Sequence, residues 1–244
     1  MRALSSAELL DAWERAATLP PVQRAVALLA AGYRDSSSED TSSEETSPEA
    51  LADWSIGRRD AGLLRLRERT FGSRLAAVAD CPGCGERLEL AFDVEEIRAV
   101  PGAVDGELSL SQGGWELRFR LPTSRDLAAV AEAEDGRQAL LRRCLLAAPP
   151  AEELPAELVA AVEERMAEAD PQARVLLDLS CPACDRRWQA PFEIDAYFWS
   201  ELDAWARRTL REVHALASAY GWSEAEILAM SAPRRHLYLG MVGV

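Results

Sequence analysis

The sequence predicts an α+β protein, mostly helical. Its centre is a split four-cysteine zinc-ribbon-like β unit, with an inserted hairpin-plus-helices segment and a C-terminal helical region. Three observations carry that prediction. Cys81-Pro82-Gly83-Cys84 and Cys181-Pro182-Ala183-Cys184 repeat one local pattern a hundred residues apart. Each pair runs into alternating apolar residues: Leu88, Leu90, Phe92 and Val94 after the first, and Trp188, Ala190, Phe192 and Ile194 after the second. Such a period of two marks a strand. From Asp195 to Tyr220 the apolar spacing changes to that of a helix.

Taken from the start, Ser5 to Leu19 reads as a helix. Ser5 and Glu8 have capping-box spacing, and Leu9, Leu10, Trp13 and Ala17 mark one face. Pro20-Pro21 ends it, and about Pro21 to Tyr33 forms a second helix with Val22, Ala25, Leu28 and Leu29 inward. Residues 1–34 are therefore expected to form a helical hairpin. Residues 35–48 change character: Asp35, Glu39, Asp40, Glu44 and Glu45 lie among serines and threonines, with no basic and no large apolar residue. This composition predicts an acidic, Ser-rich disordered linker. Residues 49–72 are helical, a short helix to Trp54 and a longer one from Gly57 to Phe71.

Residues 73–94 and 172–194 form the two halves of the split zinc-ribbon-like unit. Residues 95–171 are the insert between them. Within it Glu107 to Ser111 and Trp115 to Leu121 alternate about a Gln112-Gly113-Gly114 turn, a β-hairpin signature. Thr123 or Ser124 opens a helix to about Glu134, and Arg137 to Ala147 and Pro155 to Ala169 read as two more. In residues 195–244, Phe198, Leu202, Trp205, Val213, Leu216 and Tyr220 share one stripe of a long helix. Gly221 suits its end, Ser223 and Glu226 form a second capping box, and Ser231-Ala232-Pro233 opens a last helix.

Four sulfurs in two CxxC turns match the ligand count of a closed tetrahedral zinc site, with Zn–S near 2.3 Å. The expected ligands are Cys81, Cys84, Cys181 and Cys184. Gly85 and Asp185 follow the pairs, where a positive φ is useful and where glycine and aspartate tolerate it. A rubredoxin-like iron site has the same ligand set, and a site without metal is a further alternative. A thioredoxin-type dithiol needs the pair at a helix start, whereas strands follow here. Such a metal is structural, because sulfur fills all four positions. Cys144 lies in the apolar run Leu140 to Leu146 and reads as a core residue.

The remaining composition excludes more than it assigns. The formal charge is −14, and all basic residues are arginines. That balance disfavours nucleic acid and anionic membrane as partners. No apolar run reaches membrane-spanning length and no leader pattern opens the chain, so a cytoplasmic protein is expected. No phosphate loop, dinucleotide-binding glycine pattern or HExxH occurs, and neither His214 nor His236 lies near a nucleophile motif. A non-enzyme is expected. Trp199, Trp222, Tyr238 and Met241 are candidates for an exposed partner-binding surface, since aromatics and methionine are enriched at interface cores. Oligomeric state is not encoded in any of these signals.

The C-terminal residues Phe198-Trp199-Ser200-Glu201-Leu202-Asp203-Ala204-Trp205 and Tyr220-Gly221-Trp222-Ser223-Glu224-Ala225-Glu226-Ile227-Leu228 carry a resemblance. So do Phe119 to Leu127 and the paired CPxC turns. Over roughly Leu51 to Val242 the chain resembles the T-even-phage-like baseplate hub assembly chaperone family, in its bacterial branch encoded with contractile tail-like injection systems. The resemblance implies an assembly chaperone without catalytic residues, with baseplate hub or spike proteins as partners. A structural baseplate subunit and a zinc-ribbon regulatory or nucleic-acid-binding module are the alternatives.

Overall fold

The computed structural model describes residues 1–34, 46–99, 106–147 and 154–243. The linker expected at residues 35–48 lies outside them except for its last three positions. Those lead into a short helix capped by the Ser47 hydroxyl.

The first core gathers distant parts of the chain. Helices α1 (Ser6–Ala17) and α2 (Pro21–Tyr33) pack antiparallel about the proline break, and the Ser5/Glu8 capping box is present. After the short α3 (Pro48–Ala52), helix α4 (Ile56–Phe71) crosses α2. Glycine permits that approach: a Cβ on Gly62 would meet a Leu29 methyl at 2.8 Å, and one on Gly32 a Leu66 methyl at 2.8 Å. Leu28, Leu29, Leu63, Leu64 and Leu66 fill the space with Leu75, Val94, Ile194, Phe198 and Leu202. The N-terminal helices thus share one core with the β unit and the long C-terminal helix.

Strands β1 (Arg74–Asp80) and β2 (Arg87–Asp93) form one antiparallel hairpin; β6 (Val175–Ser180) and β7 (Arg187–Phe192) form another. Each is a separate two-stranded sheet. Between them come α5 (Val94–Ile97), the hairpin β3 (Glu107–Gln112) and β4 (Trp115–Arg120), then α6 (Ser124–Val130) and α7 (Gly136–Cys144). Gly113 and Gly114 make the β3–β4 turn with φ of 59° and 80°, a conformation that glycine adopts without strain.

The sequence reading overextends two helices here. The helix expected to Glu134 stops at Val130. The helix expected to Ala147 stops at Cys144, and Leu145–Ala147 becomes β5 beside β4. An apolar run of this length suits either state, and the open edge of β4 selects the strand. Helix α8 (Ala156–Ala169) then covers the insert's own core of Leu108, Leu117, Phe119, Leu141, Leu158 and Val162. A 3-10 turn at Pro171–Ala173 returns the chain to the β unit.

Helix α9 (Ile194–Tyr220) runs from the second hairpin through the first core into a third. There Ala206, Val213 and Leu216 meet α10 (Glu224–Leu228) and α11 (Ala232–Val242) through Ile227, Leu228 and Leu239. Gly221 terminates α9 in the left-handed region, as expected of a C-terminal glycine.

Candidate metal centre

The two CPxC turns are built alike. In the first, the Cys81 amide donates to the Glu86 carbonyl at 2.8 Å and the Gly85 amide to the Cys81 carbonyl at 2.9 Å. In the second, Cys181 donates to Arg186 and Asp185 to the Cys181 carbonyl, both at 2.9 Å. Each turn needs a positive φ at its fifth residue. Gly85 takes 78°, and Asp185 takes 56°, the one non-glycine residue in that region among those described. These bonds fix the loops so that both sulfurs of each pair face the other pair.

The four sulfur atoms lie within 4.8 Å of one another. Cys81 Sγ stands 3.7 Å from Cys184 Sγ, and Cys84 Sγ stands 3.6 Å from Cys181 Sγ. A regular tetrahedron with 2.3 Å metal–sulfur bonds has sulfur–sulfur edges of about 3.8 Å. The spacing therefore fits one metal ion held by all four. Cys81 and Cys181 are buried, while Cys84 and Cys184 lie at the surface. Ligands thus come from both ends of the insert, and one ion would tie them together.

Backbone amides support the charge. Gly83 N–H points at Cys81 Sγ at 3.4 Å. Burial opposes ionisation of Cys81, but the Cys84 and Gly83 amides and the adjacent thiols outweigh it and lower its pKa to about 6. The Glu86 amide favours the Cys84 thiolate, yet hydrogen bonds with the neighbouring thiols hold its proton up to about 12. The shared hydrogen bonds thus set Cys81, which ionises readily, against Cys84, which keeps its proton. A divalent cation at the centre removes that conflict. The closed donor set leaves no position for water or substrate, so the chemistry on offer is cross-linking.

Cys144 stands apart, buried beneath the insert's helices. Burial and the nearby Asp126 raise its pKa to about 11, as for an inert core thiol.

Three of the four candidate surface residues, Trp222, Tyr238 and Met241, lie at one end, and Trp199 lies apart. Trp199 is half-buried against the first core, with the Arg24 guanidinium 4.2 Å above its ring. Trp222 lies past the far end of α9, roughly 30 Å away by helical rise. It stacks on Tyr220 at 4.4 Å, and Tyr238 meets it edge-on at 4.9 Å. Met241 is 72% exposed on α11, one turn beyond Leu237 at 69%. Leu237 is not among the candidates the sequence suggested. Its exposure follows from which face of α11 meets α9.

Residues 34–147 match the family model of the T4 bacteriophage base plate protein. The match supports a T4-like baseplate protein family. It covers the first cysteine pair and most of the insert, and ends before the second pair and the C-terminal helices. No curated protein and no solved structure matches the chain.

Proposed function

From that baseplate match we propose that this protein is a non-enzymatic assembly chaperone of the baseplate hub in a contractile phage-tail-like particle. It acts in the cytoplasm by binding a hub or spike subunit before the subunit joins the particle. The supporting observation is the family match over residues 34–147, which implies interaction with other baseplate proteins. The metal centre fits the same reading. Zinc in the Cys81, Cys84, Cys181 and Cys184 cluster would supply structural cross-linking alone, holding the two hairpins as one support from which α9 projects. The exposed Leu237 and Met241 beside the Tyr220–Trp222–Tyr238 cluster offer an apolar end for the partner.

The test is affinity purification from cells expressing the whole tail cluster, paired with mass spectrometry of purified particles. A hub or spike protein in the first and absence of the chain from the second is the expected result. Stoichiometric presence in particles would instead make it a retained structural subunit. Recovery of no tail protein would sink both.

A further inference from the structure

The two cysteine-bearing hairpins have four outer strand edges, and these are treated differently. In an antiparallel ladder, alternate residue pairs exchange hydrogen bonds and the others turn their N–H and C=O groups outward. The Cys81 bond to Glu86 sets the phase in the first hairpin, so Ala76 and Val78 on β1 and Glu89 and Ala91 on β2 face outward. The Cys181 bond to Arg186 sets it in the second, so Leu176 and Asp178 on β6 and Gln189 and Pro191 on β7 face outward.

Two of the edges are each blocked at one outward position. The Tyr197 hydroxyl from α9 accepts from the Ala76 amide and donates to the Ala76 carbonyl, each at 3.0 Å, which blocks β1 at that residue and leaves the exposed Val78 beyond it. Pro191 has no N–H to offer, a standard protection of an edge strand, and blocks β7 at that position. The same Tyr197 ring packs on Phe192 at 5.1 Å, so one side of the paired hairpins is filled by α9.

The other two edges are open and face one groove. It has a volume of about 690 Å³ and is lined by consecutive residues of both strands, 89–92 and 175–179. A sheet face presents alternate residues; only an edge presents consecutive ones. Among the described residues, the outward amides of Glu89, Ala91, Leu176 and Asp178 have no protein partner. Apolar side chains Leu90, Phe92, Val175 and Leu177 line the groove. Its charged lining is Glu89, Glu96, Asp178 and Arg98, and Arg98 is already paired with Glu68.

We infer that this groove is a strand-addition site: an extended segment of a partner protein, alternating apolar and basic residues, lies between β2 and β6 and hydrogen-bonds to their open edges. Main-chain bonds give the affinity, and the acidic lining selects the basic side chains. Ala91 and Pro191 occupy the same place in the two repeats, ten residues after the first cysteine. The open edge therefore carries alanine where the blocked one carries proline.

That equivalence supplies the test. The full metal-loaded chain is titrated with a capped alternating Arg–Val decapeptide, with an alternating Glu–Val peptide as control, and followed by fluorescence anisotropy and amide hydrogen exchange. The expected result is binding of the Arg–Val peptide alone, with new protection confined to β2 and β6. Ala91→Pro, a substitution the second hairpin already carries, is expected to weaken binding at least ~10-fold while metal content and melting temperature stay unchanged. Asp178→Arg weakens binding without touching the backbone. Equal affinity for both peptides, unchanged affinity in both variants, or protection elsewhere would overturn the inference. So would a chain dimer that Ala91→Pro dissolves, since a second copy would then be the occupant. Failure of hub capture leaves the outcome intact, because the probe is a synthetic peptide.

Discussion

Arg67 of α4 and Glu201 of α9 meet through two parallel hydrogen bonds, Nε to Oε2 at 2.8 Å and Nη2 to Oε1 at 2.7 Å. The guanidinium is buried, and its third arm donates to the Gly72 carbonyl at 2.7 Å, just past the end of α4. This pair fixes α9 against the N-terminal core near the point where Tyr197 blocks β1. Glu201→Ala leaves the buried cation without its carboxylate. The expected loss is about 3 kcal/mol, read from urea denaturation. A loss within error would mean that water replaces Glu201.

Protein purified without added metal is expected to carry one equivalent of zinc or iron, measured by elemental analysis, with zinc expected. Cys181→Ser should lose the metal and lower the melting temperature of the whole chain, since metal binding and folding are linked. Less than about half an equivalent in the unmodified protein would contradict a four-sulfur metal centre.

Asp60, buried in α4 beside Arg59, has a pKa raised to about 6, chiefly by burial and against the pull of Arg59. A carboxyl whose folded pKa exceeds its unfolded value weakens the fold when ionised. That penalty is fully present above about pH 6 and is relieved as pH falls from 6 towards 3.8. The Asp60→Asn variant should lack this rise in stability between pH 7 and pH 5. Denaturation midpoints for both proteins across that range test the sign; parallel curves would refute it.

Gly57 is the site of a close approach. Its amide donates to Asp170 Oδ2 at 2.8 Å, and a Cβ there would fall 2.0 Å from Asp170 Oδ1. Gly57→Ala is expected to cost at least about 2 kcal/mol by displacing a buried carboxylate. Gly240→Ala, in α11 with nothing within 4 Å, is the control and should be neutral or stabilising by about 0.5 kcal/mol. Thermal melts of the two variants should move apart.

Leu237→Asp with Met241→Asp removes apolar surface that no core needs. Stability should change by less than about 0.5 kcal/mol. Capture of the hub or spike subunit should fall sharply in the co-purification. Undiminished capture would move the partner surface away from α11.

The local signals were the most legible. Capping boxes at Ser5 and Ser223, the Gly113-Gly114 turn and the glycine after α9 are each set by two to four neighbouring residues, and all four stand in the structure. The Leu145–Ala147 strand was not legible, because its state depends on an edge of β4 some 25 residues earlier in the chain. Trp199 stands apart from the other candidates for a related reason. A helical stripe shows which residues share a face, but not that Arg24 of another helix covers one of them.

By itself, the sequence determined the four-thiol cluster. Two like turns with four thiols and a permissive residue after each define the cluster, because such turns are closed by their own backbone bonds. Only the tertiary structure decided which strand edges stay open. Tyr197 blocks one at Ala76, Pro191 blocks another, and a groove separates the remaining two. Edge pairing is a relation between backbones distant in sequence, and no residue pattern on one strand specifies its neighbour.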